Sequence, residues 1–176
     1  VAELILYACP VGPLATAIEA HWRQVESSVG PNSAHEYMPH VTLTGFFRDA
    51  PSEIHRHVEV IGQLVMEEPP PPSAVSVTGA LYEPDFHVLT VESRWAARLA
   101  RRFADRCPPT ATRAAAIRPK DRLHVSLAYG FTPDDGPTLQ RMSRAAVDPS
   151  LPTVWELRFY ERLAPGAWCV LAAWPL

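Results

Sequence analysis

Pro39-His40-Val41-Thr42-Leu43 returns, shifted by 84 residues, as Leu123-His124-Val125-Ser126-Leu127. Each string sets an imidazole and a hydroxyl two residues apart inside an apolar run. Side chains alternate faces along a strand, so His40 and Thr42 point one way while Val41 and Leu43 point into the layer behind. The same parity groups His124 with Ser126 against Val125 and Leu127. The surroundings keep the shift: Leu4 precedes His40 by 36 residues, and Val88 precedes His124 by 36. The order strand, helix, strand, helix, strand therefore recurs within the chain. This predicts an α+β fold in a single bilobal domain spanning residues 1–176. Two pseudo-symmetric sheet-plus-helix lobes, formed by repeats at approximately 3–82 and 86–174, would face each other across a central cleft.

Working outward, Leu4 to Cys9 reads as a strand broken by Pro10-Val11-Gly12-Pro13. Leu14, Ala17, Ile18, His21, Trp22 and Val25 recur at helical spacing until Gly30-Pro31 stops them. Pro39 to Phe47 reads as a second strand. Pro51 opens a helix with Ile54, Val58, Ile61, Leu64 and Val65 on one stripe. The stiff run Pro69 to Pro72 separates it from strands at about 74–82 and 86–91. A helix bearing Trp95, Leu99 and Phe103 follows, then a long loop over 107–121. The strand 123–131, a helix over 138–147, and strands at 154–161 and 168–173 complete the pattern.

Composition bounds what such a chain does. With 176 residues, 47% hydrophobic and 20% charged, one domain with a substantial core is expected, not a disordered tail. The net charge of −3 opposes a broad electrostatic grip on duplex DNA, though not a local pocket for a phosphorylated ligand. Cys9, Cys107 and Cys169 stand far apart and form no C-x-x-C, so neither a disulfide framework nor a zinc site is expected. No apolar run suits a membrane span, and the acidic start Val1-Ala2-Glu3 does not read as a secretory signal. An intracellular, cytoplasmic setting and a monomer are the default expectations.

Two imidazoles from related halves suit paired acid–base work, because imidazole titrates near neutral pH and serves as either partner. Two hydroxyls suit the non-bridging oxygens of a phosphate. His40 and His124 are the candidate catalytic residues, and Thr42 and Ser126 the candidate phosphate-binding ones. Neither motif has an Asp, Glu or Cys at ligand spacing, so no metal or other cofactor is expected.

Phe46, Tyr129, Phe131 and Lys120 are further candidates for base or phosphate contacts, with core packing as the competing use of the aromatics. By parity Phe46 shares the His40 face. Tyr129 lies opposite the His124 face unless a bulge intervenes. Arg118 and Arg122 flank Lys120 in a basic stretch that either attracts phosphate or is simply solvated. His35 reads as a structural hydrogen-bonding residue, and His55 and His57 as solvated ones.

The paired His-x-Thr and His-x-Ser, each followed by an apolar residue, resemble the signature of the 2H phosphoesterase superfamily. The resemblance is closest to the 2H domain of the suppressor of T-cell receptor signalling (T-cell ubiquitin ligand) proteins. It extends through Leu6-Tyr7 with Gly12-Pro13-Leu14, through Ala34-His35 to Phe46-Phe47, and through Leu123 to Phe131 with Pro137-Thr138-Leu139. It covers nearly the whole chain and is weakest around the proline run. It implies a bilobal α+β fold and metal-free opening of 2′,3′-cyclic phosphates on nucleotides or RNA ends. These 176 residues show no ubiquitin-associated, SH3 or histidine-phosphatase segment, so the signalling roles of multidomain relatives are not carried over. A nucleotide or RNA-end binding module without turnover, and an RNA end-joining activity, are the alternative readings.

Overall fold

Gly12, at φ 90°, turns the chain out of β1 (Ala2–Val11), and Pro13 opens α1 (Pro13–Ser28). Proline suits that position because the first N–H of a helix has no intrahelical acceptor in any case. The computed structural model describes residues 1–113 and 115–176. After α1 come β2 (Val41–Thr42), β3 (Phe47–Asp49), α2 (Ile54–Glu67), β4 (Ser76–Tyr82), β5 (Phe86–Glu92) and α3 (Arg94–Arg106). Then follow β6 (His124–Tyr129), α4 (Gly136–Ala146), β7 (Val154–Ala164) and β8 (Ala167–Pro175). The α3 N-terminus is capped by the Ser93 hydroxyl, which accepts from Ala96 N–H at 3.0 Å and donates to the Ala74 carbonyl.

The eight strands form one open sheet in the order β4-β5-β6-β2-β1-β7-β8, with β3 also pairing β1. Every pairing is antiparallel. The two units are thus joined edge to edge through β2 and β6. Outward from that seam, β2, β1 and β7 on one side answer β6, β5 and β4 on the other. Each unit's last strands cross over: β4 lies on β5, and β7 lies on β1.

The helices cover one face of the sheet. Leu4, Leu6 and Ala8 of β1, with Val41, Val125 and Leu157, pack against Leu14 and Ile18 of α1, Ile61 and Leu64 of α2, and Leu99 and Phe103 of α3. Burying each Leu or Phe side chain in this way contributes ~1.5–3 kcal/mol. Leu139 of α4 joins Val25 and Ala128 in a smaller cluster. The opposite face of the sheet is left to form a cleft.

Three local departures from the sequence pattern stand out, and the first two shape that cleft. The strand expected over 39–47 is interrupted, because the Thr44 hydroxyl accepts from Leu6 N–H at 3.1 Å and takes the place of a ladder carbonyl. Thr44 then bridges to Pro119 instead, which draws the 107–121 loop onto the sheet. In β6, His87 pairs with Ala128 but Val88 pairs with Ser126, so one extra residue bulges between them. Finally, His57 is not solvated. It lies on the same stripe of α2 as Ile61 and Leu64, and only His55 faces water.

Candidate active site

Val41 pairs with Val125, which fixes the geometry of everything around it. In an antiparallel register, His40 then lies opposite Ser126 and Thr42 opposite His124. All four side chains project from the face away from the helices, since both valines are buried in the helix-side core. Diagonal neighbours across such a pair lie about 7–8 Å apart along the backbone, so His40 and His124 rise from neighbouring points on the same face. All four residues line a single cavity of about 960 Å³ on the open face.

The two histidines sit in unlike surroundings. His40 lies beneath Tyr7, with ring centroids 4.0 Å apart, and beside Tyr37 at 5.3 Å. Its Nδ1–H donates to the Met38 carbonyl at 2.7 Å, so the lone pair is on Nε2. Burial pushes its pKa down to about 4. The Met38 carbonyl works against that shift, and the proximity of His124 adds to it. His124 is exposed at the end of β6. Its pKa is also lowered, by desolvation first and by Lys120, against a backbone hydrogen bond to Arg122. Both rings thus use the backbone two residues upstream, as related positions of a repeated unit would.

Of the further candidates, Phe46, Tyr129 and Lys120 line the cavity. Phe46 is there by simple parity, backed by the Arg162 guanidinium 4.3 Å from its ring centroid. Tyr129 is there because the β6 bulge reverses its parity, placing it opposite Phe86. Phe131 is not in the cleft. Past Gly130, whose φ of 69° redirects the chain, it packs on the helix-side cluster of Val25, Ala128 and Leu139 and against His87. Arg118 and Arg122 also line the cavity. His35 makes the structural contact expected of it, with the Asn32 side chain at 3.3 Å.

Sequence reasoning missed Tyr37, Val88 and Thr90. Val88 pairs with Ser126 and Thr90 with His124, so the register of β5 would have found them. Tyr37 arrives on an irregular segment held down by the Trp168 indole, which donates to the Glu36 carbonyl at 3.0 Å, and no periodicity announces it. Tyr7 and Tyr160, whose faces the sequence left open, both lie in the apolar cluster on the cleft side.

Among the described residues, no group of three or more His, Cys, Asp or Glu side chains is placed to hold a metal ion. No described helix is long and apolar enough to cross a membrane.

Residues 14–166 match the 2′-5′ RNA ligase superfamily. The chain is similar to the ecdysteroid-phosphate phosphatase of Drosophila melanogaster, at 28% identity over 91% of this chain and 26% of that protein. It is also similar to the human ubiquitin-associated and SH3 domain-containing protein B, at 30% identity over 91% of this chain and 25% of that protein. The Bombyx mori ecdysteroid-phosphate phosphatase is 28% identical, with 91% of this chain and 24% of that protein covered. The chain spans about a quarter of the length of these relatives.

Proposed function

From the premise that the chain belongs to the 2′-5′ RNA ligase superfamily of 2H phosphoesterases, we propose that it hydrolyses 2′,3′-cyclic phosphates of nucleotides or RNA ends without a metal. The observation that carries this reading is the Val41–Val125 pairing, which aligns two imidazoles and two hydroxyls along one cavity. The relatives named as phosphatases add support for phosphoester chemistry in general, and their names specify a different ester.

The unequal histidines assign the steps. His40 is the general base: burial keeps it neutral, and its proton is held on Nδ1 by Met38, so Nε2 takes a proton from the attacking water. The water oxygen bonds to phosphorus as the bond to the ribose 2′ or 3′ oxygen breaks. His124, exposed and able to load a proton from solvent, gives that proton to the departing oxygen. Thr42 and Ser126 donate to the non-bridging oxygens and hold the phosphoryl group in line. A bound phosphodiester anion raises both imidazole pKa values, which favours the charged His124 the mechanism needs. The product is a nucleoside 2′- or 3′-phosphate.

The test is incubation of the protein with each of the four 2′,3′-cyclic nucleotides, and with a short RNA bearing that end, in EDTA. Appearance of a ring-opened monophosphate supports hydrolysis. Persistence of every cyclic substrate favours a binding module instead.

A further inference from the structure

Trp168 is not one of the residues that line the cavity, yet it touches the side chains that enclose His40. It stands at the start of β8, paired with Arg162 of β7. Its ring centroid lies 5.2 Å from that of Tyr37 and 6.0 Å from those of Tyr7 and Tyr160, and it stacks on Phe46 at 6.1 Å. Tyr7 and Tyr37 are the two rings packed on His40. Residue 168 also lies beyond the 14–166 stretch that matches the superfamily, so the family match does not account for this contact.

The segment that Trp168 reaches has little regular structure to hold it. After the short turn Ser33–Glu36, Tyr37 N–H donates back to the Ala34 carbonyl at 3.3 Å, and β2 begins only at Val41. Between them lie Tyr37, which walls His40, and Met38, whose carbonyl accepts from His40 Nδ1–H. The Trp168 indole N–H donates at 3.0 Å to the carbonyl of Glu36, the residue just before these two. That bond joins positions 132 residues apart. Phe46, on which Trp168 stacks, also carries the Arg162 guanidinium, itself paired with Glu3. The titratable groups that face His40 are Tyr7 from β1, Tyr37 from this segment and His124 from β6.

Resting on His40 as the base of the proposed hydrolysis, we infer that Trp168 is a positioning residue for that imidazole. It clamps the Glu36–Met38 segment to the sheet. The clamp keeps Tyr37 against the ring and the Met38 carbonyl on Nδ1, which leaves Nε2 as the acceptor. It also keeps water from His40, and this burial holds the ring neutral. Tryptophan suits the task because one side chain supplies a broad apolar plane and a donor together.

The test is the titration of His40 itself, followed by NMR of histidine-labelled protein without substrate, in the parent, Trp168→Phe and Trp168→Ala. The signal is assigned by its loss in His40→Ala. Releasing the segment lets water reach the ring, so the His40 pKa should rise from about 4 toward 6.5. In Trp168→Ala the rise should be about one unit or more, with buried His57 on α2 unmoved. The ring nitrogen shifts should pass from the Nδ1–H form toward a mixture of tautomers. Trp168→Phe keeps a ring plane and loses the donor, so it should shift His40 the same way by less. With a 2′,3′-cyclic nucleotide as substrate, the acidic limb of log kcat/KM should move up in pH by the same amount, because a base of higher pKa is protonated sooner as pH falls. A His40 titration unmoved in both variants overturns the inference and leaves hydrolysis standing. A shift shared by His57 also overturns it, since general loosening then explains the change. If the parent turns over no cyclic phosphate, the hydrolytic reading fails while the titration still decides the clamp. In the parent, the Trp168 indole N–H should exchange with solvent more slowly than an exposed indole, and exchange at the exposed rate overturns the inference whatever the variants do.

Discussion

His40 lies opposite Ser126 because Val41 pairs with Val125, two residues 84 positions apart in the chain that meet at the seam of the sheet. The hydroxyl facing each imidazole therefore comes from the other half of the protein. A site built across a seam in this way forms only when both halves are folded and in register.

The two hydroxyls should matter to turnover more than to fold. In the proposed mechanism Thr42→Ala and Ser126→Ala each remove one donor to the phosphoryl oxygens, for which losses of ~10²-fold in kcat are usual. Both residues are half-buried at the cleft, so urea midpoints should change little. Steady-state kinetics paired with denaturation curves checks this.

The pH dependence follows from the direction of the imidazole shifts. In the free protein His40 must be neutral, and its pKa of about 4 makes activity fall as pH drops through that value. His124 must be charged, and its pKa lies below the ordinary 6.5, so kcat/KM falls with rising pH before that value is reached. The plot of log kcat/KM against pH should be a bell with an acidic optimum between about 4 and 6.5. The kcat profile should lie at higher pH, because the bound anion raises both groups. A kcat/KM curve flat from pH 5 to 9 would contradict the pairing.

Asp49 should be the most costly single residue to remove outside the cleft. Its carboxylate is wholly buried and accepts from His57 Nε2 at 3.0 Å, Thr112 Oγ1 at 2.7 Å and Arg113 Nε at 3.2 Å. Burial pushes its pKa up, but these hydrogen bonds more than offset that, and the carboxyl titrates below its usual range. Asp49→Ala leaves the buried Arg113 guanidinium without its counter-ion, at an expected cost of ~3–5 kcal/mol in urea unfolding. It should also loosen the loop that leads to Arg118.

Acid should destabilise the protein through its helix layer. His21 is buried between α1 and α4, with its Nε2 2.9 Å from the Ser143 hydroxyl, and burial pushes its pKa down to about 4. The unfolded chain takes up a proton near the ordinary 6.5 while the folded one does not. Stability is thus fully present above 6.5 and is lost as pH falls from there toward about 4, by up to ~3 kcal/mol from this group. Replacing His21 with Gln should flatten the dependence over that interval, as read by thermal unfolding at a series of pH values.

The helices and the strand pairs were legible because their apolar spacing is a direct record of which face is buried. Trp95, Leu99 and Phe103 declare α3, and His-x-Thr against His-x-Ser points to the four residues that line one cavity. What stayed hidden depends on contacts between distant segments. The bulge that turns Tyr129 into the cleft exists only relative to β5. The capture of the Leu6 N–H by Thr44 requires β1 and β2 to have met. Phe131 was a candidate only because it follows the second motif, and beyond the left-handed backbone of Gly130 it joins the helix-side cluster instead. His57 was recoverable, since its spacing to Ile61 and Leu64 is that of a buried stripe.

The most direct measurement of the two-histidine mechanism is turnover of a 2′,3′-cyclic nucleotide by His40→Ala, His124→Ala and the double variant. Each single change should lower kcat by at least ~10²-fold, and the double should lose little more than the worse single, as groups acting as one unit do. Near-full activity in either single variant, in a protein that unfolds like the parent, would contradict the mechanism.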